Sequence, residues 1–128
     1  MNRMTAEEYR EYLASRKRGD KYGNTKTVVD GITFDSEVEA NRYAELKMLE
    51  KAGNITELER QKKFELQPAF THKGHRYNAI FYVCDFFYKQ GDKYIIEDVK
   101  SAITKTNAVY KLKKKMMLYK GYEIQEIE

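Results

Sequence analysis

Two apolar runs between residues 78 and 100 contain charged residues that a buried strand does not favour. Asp85 lies in the first run, and Asp98 and Lys100 lie in the second. Paired carboxylates bind a hard divalent cation such as Mg²⁺ through oxygen, and a neighbouring ammonium group can orient a water molecule or stabilise developing charge. These residue types are those of a metal-assisted hydrolytic site, provided that the fold brings them together.

The turn between the two runs sets which carboxylates face each other. The Gly91-Asp92 pair favours an antiparallel hairpin. A loop of two or four residues there sets Asp85 opposite Asp98, whereas a loop of three residues sets Asp85 opposite Glu97. Because facing carboxylates about 5 Å apart repel each other unless a cation lies between them, we expect the Asp85 and Asp98 carboxylates to approach within about 6 Å and to share a divalent ion.

Strand side chains alternate between the two faces of a sheet. Asp98 and Lys100 therefore share one face of the second strand, and Asp85 shares a face with Phe81 and Val83 in the first. A different arrangement, in which Asp85 forms a buried ion pair with Lys100 and Asp98 is solvated at a strand end, satisfies the same pattern. Alternation alone does not decide between a metal site and this ion pair.

Apolar periodicity and turn residues predict the elements that would position these side chains. Ser36 and Glu39 form a capping box at the start of one helix, and Asp30-Gly31 suits the turn of a small hairpin. The full prediction comprises helices at 5–18, 36–52 and 107–119, strands or hairpins at 26–34, 55–66, 78–100 and 122–127, and loops at 71–77 and 101–106.

The predicted helices each have an apolar side. In the helix at 107–119, the residues that recur at helical spacing and are expected to face the core are Val109, Leu112, Met116 and Tyr119. Lysines occupy its other side. In the helix at 36–52, Glu39 lies one turn before the inward-facing Tyr43 and therefore near the buried edge, although the capping box alone also accounts for a glutamate at this position.

Composition predicts one ordinary globular domain. The chain has 128 residues, of which 34% are charged and 41% hydrophobic, a balance that argues against disorder. We expect a single domain at 1–128, with an N-terminal helical appendage at 1–20 and a core at 21–128. The net charge of +4 favours an anionic partner only weakly.

The sequence also predicts a compartment. Cys84 is the single cysteine, so no disulfide framework forms and a reducing compartment fits. No apolar run is long enough to span a membrane, and the N-terminal residues lack the apolar core of a signal peptide. These features predict a soluble cytoplasmic protein that does not bind membranes. His72 and His75 have a metal-like spacing, but they lie in a predicted loop with the lone cysteine elsewhere, so no zinc site is expected there.

The order of these motifs resembles two families. Asp85, followed by Asp98-Val99-Lys100 after an apolar lead-in, resembles the PD-(D/E)XK (restriction endonuclease-like) nuclease superfamily, although Cys84 replaces the proline that usually begins its motif. Most of residues 20–128 also resembles a family of small phage and prophage proteins of uncharacterised function. The segments that carry this second resemblance are Lys21-Tyr22-Gly23, Asp30-Gly31, Phe34-Asp35-Ser36, Glu39-Ala40, Glu59-Arg60-Gln61 and Glu97-Asp98-Val99-Lys100.

The superfamily resemblance implies a fold and a catalytic site. The implied fold is α/β, with a central mixed sheet flanked by helices in the order helix, three antiparallel strands, helix, strand, to which an N-terminal helix and a small hairpin are added. Asp85 and Asp98 correspond to metal ligands, Lys100 to the lysine that positions water, and Glu39 to an additional ligand. The implied cofactor is Mg²⁺, with Mn²⁺ able to substitute, and Glu97 is expected to be structural unless the strand register shifts.

The implied function is Mg²⁺-dependent hydrolysis of DNA by a small phage-type endonuclease that nicks or resolves branched DNA. DNA is the expected partner, with a homodimer or a phage replication or recombination protein as a further partner, in the cytoplasm of a host cell. Candidate DNA contacts, for each of which a solvated or packing role is an open alternative, are Arg60, Gln61, Lys62, Lys63, Arg76, Tyr110, Lys111, Lys114 and Lys115. Two other readings compete: an inactive nuclease-fold module that binds nucleic acid, and a structural phage protein whose buried charges form an ion-pair network.

Overall fold

The computed structural model describes Ala6 and residues 26–128. The chain forms two compact units, Met1–Met48 and Leu49–Glu128. Apart from Ala6, which is helical, the helix predicted at 5–18 lies outside the described residues, as does most of the predicted appendage at 1–20. Neither long helix in the described part of the chain has the length and apolar character needed to cross a membrane.

The first unit begins with the predicted small hairpin. Strands β1 (Thr27–Val29) and β2 (Ile32–Phe34) pair in antiparallel fashion. Asp30 and Gly31 between them have φ values of 52° and 78°. Because a type I′ turn requires positive φ at both central residues, the Asp-Gly pair is what permits this tight connection. The prediction of a hairpin here is confirmed.

Helix α1 (Glu37–Lys51) also matches its prediction. The Glu39 backbone N–H donates to Ser36 Oγ at 3.1 Å, the first half of a capping box. Tyr43 is buried and packs on Phe34, with ring centroids 5.2 Å apart. At the other end, Gly53 adopts φ +82° and ends the helix, as its permissive backbone allows.

The second unit is built on a mixed sheet. Apart from a small hairpin, the strands of this unit are β3 (Thr56–Arg60), β4 (Lys63–Gln67), β7 (Ile80–Val83), β8 (Phe86–Gln90), β9 (Lys93–Val99) and β10 (Ile124–Ile127). Four strands pair in the order β10-β9-β8-β3, with β10 parallel to β9 and the other neighbours antiparallel. Strands β4 and β7 pair separately. The coarse prediction of a mixed α/β fold with a central mixed sheet is therefore confirmed, and the described residues also include two helices of more than ten residues.

The β8–β9 hairpin has the predicted register. A two-residue turn connects the strands, and the Cα pairing runs from Gln90 with Lys93 to Phe86 with Glu97. The paired register ends at Phe86, and the Asp85 N–H next to it donates to the Glu97 carbonyl at 3.1 Å, so Asp85 lies beside Glu97 and Asp98 at the end of the hairpin. This pairing excludes the alternative loop of three residues, which would shift the pairing of the two strands by one residue.

An irregularity interrupts two neighbouring strand segments next to Asp85. Gln61, with φ 54°, and Lys62 separate β3 from β4, while Cys84 and Asp85 separate β7 from β8. Two hydrogen bonds cross the break: the Gln61 N–H donates to the Asp85 carbonyl at 3.1 Å, and the Cys84 N–H donates to the Lys62 carbonyl at 3.1 Å. The ladder therefore continues past the break but with its alternation of faces shifted.

The predicted alternation before Asp85 was wrong because of this break. Phe81 and Val83, which were expected to share its face, are exposed, whereas Tyr82 and Cys84 are buried. They belong to the core cluster between sheet and helix, which comprises Leu66, Tyr82, Cys84, Ile96, Tyr110, Met117 and Ile124. An irregularity of one residue in a strand moves every side chain beyond it to the other face.

The polar segment predicted as a loop at 71–77 instead contains a second small hairpin. Strands β5 (Phe70–His72) and β6 (His75–Tyr77) pair around Lys73 and Gly74, whose φ values are 50° and 77°. Phe70 and Tyr77 stack at its base, with ring centroids 4.9 Å apart. The predicted loop is wrong here, because a polar composition is also compatible with a hairpin when a pair such as Lys73-Gly74 can adopt the positive φ values of its turn.

Helix α2 (Ala108–Tyr119) lies where it was predicted, preceded by a short 3₁₀ turn (Thr104–Thr106) and capped by Asn107. Its buried residues, however, are Tyr110 and Met117. The expected inward residues are largely in solvent: Val109 is 60% exposed, Leu112 59% and Tyr119 93%. Met116, the fourth of them, is partly buried and packs against the core cluster as predicted. The prediction is wrong at Val109, Leu112 and Tyr119, because Tyr110 and Lys114 both bond to Glu126 on β10 and their side of the helix faces the sheet.

Candidate active site

Asp85 is fixed at the break between β7 and β8. Its backbone N–H donates to the Glu97 carbonyl at 3.1 Å, and its own carbonyl accepts from Gln61. Its carboxylate reaches across to β9, where Oδ2 accepts the Val99 N–H at 2.7 Å. The irregularity that the alternation rule missed is thus the feature that aims this carboxylate at the neighbouring strand.

Asp98 lies opposite, almost fully buried, with 2% of its surface exposed. One carboxylate oxygen accepts the Tyr82 hydroxyl at 2.6 Å, and the other lies 3.2 Å from Lys100 Nζ. The Asp85 carboxyl is within hydrogen-bonding reach of the Asp98 carboxyl. The structure therefore brings Asp85, Asp98 and Lys100 together, and the alternative arrangement with a solvated Asp98 is wrong.

The electrostatics of this pair favour a shared positive charge. Burial, followed by the hydrogen bond and like charge of Asp85, raises the pKa of Asp98 to about 7, although Tyr82 and Lys100 act in the opposite direction. Two carboxyl groups in contact cannot both ionise without cost. At neutral pH Asp98 is therefore close to the midpoint of its titration, and the pair holds one proton for part of the time.

Lys100 is held on two sides. Its backbone N–H donates to the Ile127 carbonyl on β10 at 2.9 Å. Its ammonium group lies 3.2 Å from Asp98 and 4.8 Å from the centre of the Tyr110 ring. A cation between a carboxylate and an aromatic face is restrained by both, so this lysine occupies a defined position next to the acidic pair.

A second group of polar side chains supports Tyr110. The Tyr110 hydroxyl donates to Glu126 Oε2 at 2.7 Å, and Lys114 Nζ donates to Oε1 at 3.0 Å. Burial and the bond to Glu126 raise the pKa of Tyr110. Burial acts to raise the pKa of Glu126 as well, but the bonds from Tyr110 and Lys114 outweigh it, and the pKa is lowered.

Sequence reasoning missed Tyr82 and Glu126. Glu126 pairs with Asp98 across the parallel β9–β10 register, so the alternation of β10 beside Asp98 could have located it once that pairing was assumed. Tyr82 had no such signal, because only the break at Cys84-Asp85 puts it on the face of Asp98. Tyr82 is buried, whereas the Glu126 side chain remains 18% exposed.

Two further glutamates were weighed for the site. Glu97 is buried and accepts a hydrogen bond from the Tyr88 hydroxyl, in keeping with the expected structural role. Glu39 lies in the first turn of α1, in the first unit, where it is buried. Its part as an additional metal ligand stays a prediction. Within residues 26–128 no cluster of three or more His, Cys, Asp or Glu side chains forms a ready metal cage.

The predicted DNA-contacting residues are spread over several elements. Tyr110 and Lys114 lie beside the site, and Gln61 braces Asp85 through its backbone. Lys62 is ion-paired with Glu59 at 3.3 Å. The remaining candidates lie in β3, β4, β6 and α2, and are Arg60, Lys63, Arg76, Lys111 and Lys115.

Fold and site together define a mixed α/β protein with two contacting carboxylates and one restrained lysine at the edge of a β-hairpin. A family model described as "Protein of unknown function (DUF1064)" matches residues 19–127. The chain therefore belongs to that family. No curated protein and no solved structure matches the chain. The resemblances to the nuclease superfamily and to phage proteins stay predictions.

Proposed function

We propose that this protein is a small Mg²⁺-dependent endonuclease of the PD-(D/E)XK type, which hydrolyses phosphodiester bonds of DNA. The observation that carries the proposal is the convergence of Asp85, Asp98 and Lys100 at one point of the sheet. The element order supports the proposal, since α1 is followed by antiparallel strands, then α2 and the parallel β10, and a restriction endonuclease-like core would also place a helix, antiparallel strands, a helix and a strand in that order.

The donor set fits Mg²⁺. This ion is usually held by one or two carboxylates, together with waters and substrate phosphate oxygens, and not by a complete protein cage. Asp85 and Asp98 would supply the two carboxylates, with Glu39 proposed as an additional ligand. When bound, the ion would polarise a phosphoryl oxygen and lower the pKa of an attacking water.

The other side chains have positioning roles in this scheme. Lys100, held by Asp98 and the Tyr110 ring, would orient the water or stabilise charge on the phosphate. The Tyr82 hydroxyl fixes one oxygen of Asp98 and so leaves the other directed at Lys100. In the proposed step, the water oxygen bonds to phosphorus and releases a proton, while the bond from phosphorus to the 3′ oxygen breaks and that oxygen takes up a proton. The products are a 3′-hydroxyl end and a 5′-phosphate end, with no covalent enzyme intermediate.

The test is cleavage of plasmid, single-stranded and branched DNA by purified protein with Mg²⁺ or Mn²⁺. We expect Asp85→Asn, Asp98→Asn and Lys100→Met each to lower the rate by about 100-fold or more, because each removes a group that acts on the reacting phosphate. Matched controls are Asp92→Asn in the hairpin turn and Lys105→Met, whose ammonium pairs with exposed Glu128. Site variants that cut as fast as these controls would contradict the proposal.

A second candidate function is an inactive nuclease-fold module that binds nucleic acid. The observation in its favour is that the charges of the site satisfy one another, since Asp98 already accepts from Tyr82 and pairs with Lys100. Wild-type protein that binds DNA but cuts none of the three substrates would favour this module. Protein that neither cuts nor binds would favour a structural role for the network.

A further inference from the structure

A chain of aromatic rings crosses the second unit beside the candidate active site. It consists of Tyr122, Phe64, Phe87 and Tyr94, which we call the aromatic tract. Ring centroids are 5.3 Å apart between Tyr122 and Phe64, 5.9 Å between Phe64 and Phe87, and 5.2 Å between Phe87 and Tyr94. The last two rings are nearly parallel, at 8°.

The tract is not part of a closed core. Tyr94 is 56% exposed and Tyr122 43% exposed, while Phe64 and Phe87 are half-buried. Aromatic side chains bury large apolar areas when they serve packing alone. The rings of the aromatic tract contact one another, and the tract is open to solvent at both of its ends. It therefore offers a surface on which a further flat group can stack.

Cations accompany the rings. Lys62 Nζ lies 4.8 Å from the centre of the Phe87 ring, and Lys89 Nζ lies 5.7 Å from that of Tyr94. Lys62 is partly neutralised by its ion pair with Glu59, so Lys89 is the better candidate for a phosphate contact. Aromatic rings interleaved with ammonium groups provide both of the interactions that a nucleic acid strand needs: stacking for bases and positive charge for phosphates.

The aromatic tract lies close to Asp98. Phe64 lies 6.3 Å from Tyr82 by ring centroids, and the Tyr82 hydroxyl bonds to Asp98. Tyr94 and Asp98 belong to the same strand and, being four residues apart, lie on the same face at about 13 Å.

We propose that the aromatic tract binds single-stranded nucleic acid by base stacking and delivers its backbone to Asp85 and Asp98. This inference deepens the proposed function and rests on it, since it names the substrate class of the same site. Bases inside a duplex already stack on one another and present no free face, whereas unpaired bases can stack on Tyr94 and Tyr122. The preferred substrate is thus a single strand or the unpaired segment of a branched molecule.

The first experiment measures binding without cleavage. A fluorescein-labelled oligodeoxythymidylate of about 12 nucleotides, within the site sizes usual for such proteins, is titrated with full-length protein in EDTA, alongside a duplex of the same length. Fluorescence anisotropy should show tighter binding of the single strand. Duplex binding that equals or exceeds it would overturn the inference.

The second experiment isolates stacking. Tyr94→Leu should weaken single-strand binding by about 5- to 100-fold, because it removes a ring on which one base stacks. Tyr94→Phe retains the ring and should bind like wild type. The matched control is Tyr77→Leu, which removes another exposed tyrosine stacked on a phenylalanine, in the β5–β6 hairpin away from the tract. Equal losses in the two leucine variants would contradict a role for the tract.

A third measurement separates this inference from the proposed function. The same variants are assayed for Mg²⁺-dependent cleavage of a single strand and of a duplex. Tract-dependent binding without cleavage would refute the nuclease and leave the tract as a binding surface. Cleavage of duplex alone, at a rate unchanged by Tyr94→Leu, would support the nuclease and overturn the inference.

Discussion

Asp98 joins the chemistry of this protein to its stability. In an unfolded chain its carboxyl would ionise at a pKa of about 3.9, whereas in the fold burial and Asp85 raise that pKa to about 7. The folded state therefore holds a proton that the unfolded state releases. The stabilisation that this proton provides is fully present below the unfolded pKa and is lost as the pH rises through about 7.

This linkage gives a prediction for metal-free protein. Between pH 5 and pH 8 in EDTA, the free energy of unfolding should fall by up to a few kcal/mol through this group, since each unit of pKa difference is worth about 1.4 kcal/mol. Urea unfolding across that range measures it. Asp98→Asn should flatten the pH dependence, and an Asp98→Asn protein with the wild-type slope would contradict the assignment of the proton to this carboxyl.

Tyr82 and Tyr88 offer a paired test of positioning. Each donates a hydroxyl to a buried carboxylate of β9, Tyr82 to Asp98 and Tyr88 to Glu97. Replacing either by Phe should cost about 1–3 kcal/mol in unfolding free energy, because a buried acceptor loses its donor. Only Tyr82→Phe should raise the pKa of Asp98 and shift the acid limb of the cleavage profile to higher pH. Equal shifts in both variants would show that Tyr82 acts through stability alone.

At the scale of elements, sequence periodicity located both long helices, the sheet strands and the register of the β8–β9 hairpin. The register followed from local chemistry, since Gly91-Asp92 admits a two-residue turn. The face of α2 did not follow, because apolar residues at helical spacing fit either side of it. The side of α2 that faces the sheet is set by the bond from Tyr110 to Glu126, which lies on β10 beside β9. This arrangement depends on the pairing of β10 with β9, which are distant in sequence.

The difference between local and long-range contacts also explains which site residues could be predicted. Asp85, Asp98 and Lys100 were predictable because strand pairing is local to one hairpin. The approach of Tyr82 to Asp98 depends on a break at Cys84-Asp85 that is matched by the left-handed backbone of Gln61 on a neighbouring strand. Nothing in the residue types of Gln61 or of Cys84-Asp85 indicates such an irregularity, so it becomes visible only in the structure of the two neighbouring strands.

The orientation of α2 can be tested by two truncations. Leu112→Ala should change the unfolding free energy by no more than about 0.5 kcal/mol, because Leu112 is 59% exposed. Met117→Ala should cost about 2–5 kcal/mol, because that side chain is fully buried and its loss leaves a cavity. Chemical denaturation of the two proteins measures both values. A larger loss at Leu112 than at Met117 would restore the face that helical spacing first suggested.

For the whole molecule, the net charge of +4 gives a weak general attraction to nucleic acid, and the acidic pair within it is a local exception. In the proposed function, a cation bound by Asp85 and Asp98 would offset their negative charge before an anionic substrate approaches. Proton and divalent ion would compete for the same two carboxylates.

This competition predicts how Mg²⁺ changes stability. An ion that binds only the folded state at 100 times its dissociation constant adds about 2.7 kcal/mol to the unfolding free energy. The gain in thermal midpoint on adding Mg²⁺ should be larger at pH 8 than at pH 5, where Asp98 keeps its proton. Calorimetry with and without the ion measures it. Asp85→Asn should abolish the gain and Asp92→Asn should preserve it; a gain that survives in Asp85→Asn would place the ion elsewhere.

The break beside Asp85 also gives the protein a native probe. Cys84, the only cysteine in the chain, is fully buried there, and burial raises the pKa of its thiol to about 12. Thiolate is the form that reacts with disulfide reagents, so labelling must wait for the strands to part. The rate of labelling therefore measures how often the strands open at the break between β7 and β8. It does so without an engineered reporter, at the residue next to the proposed metal ligand Asp85.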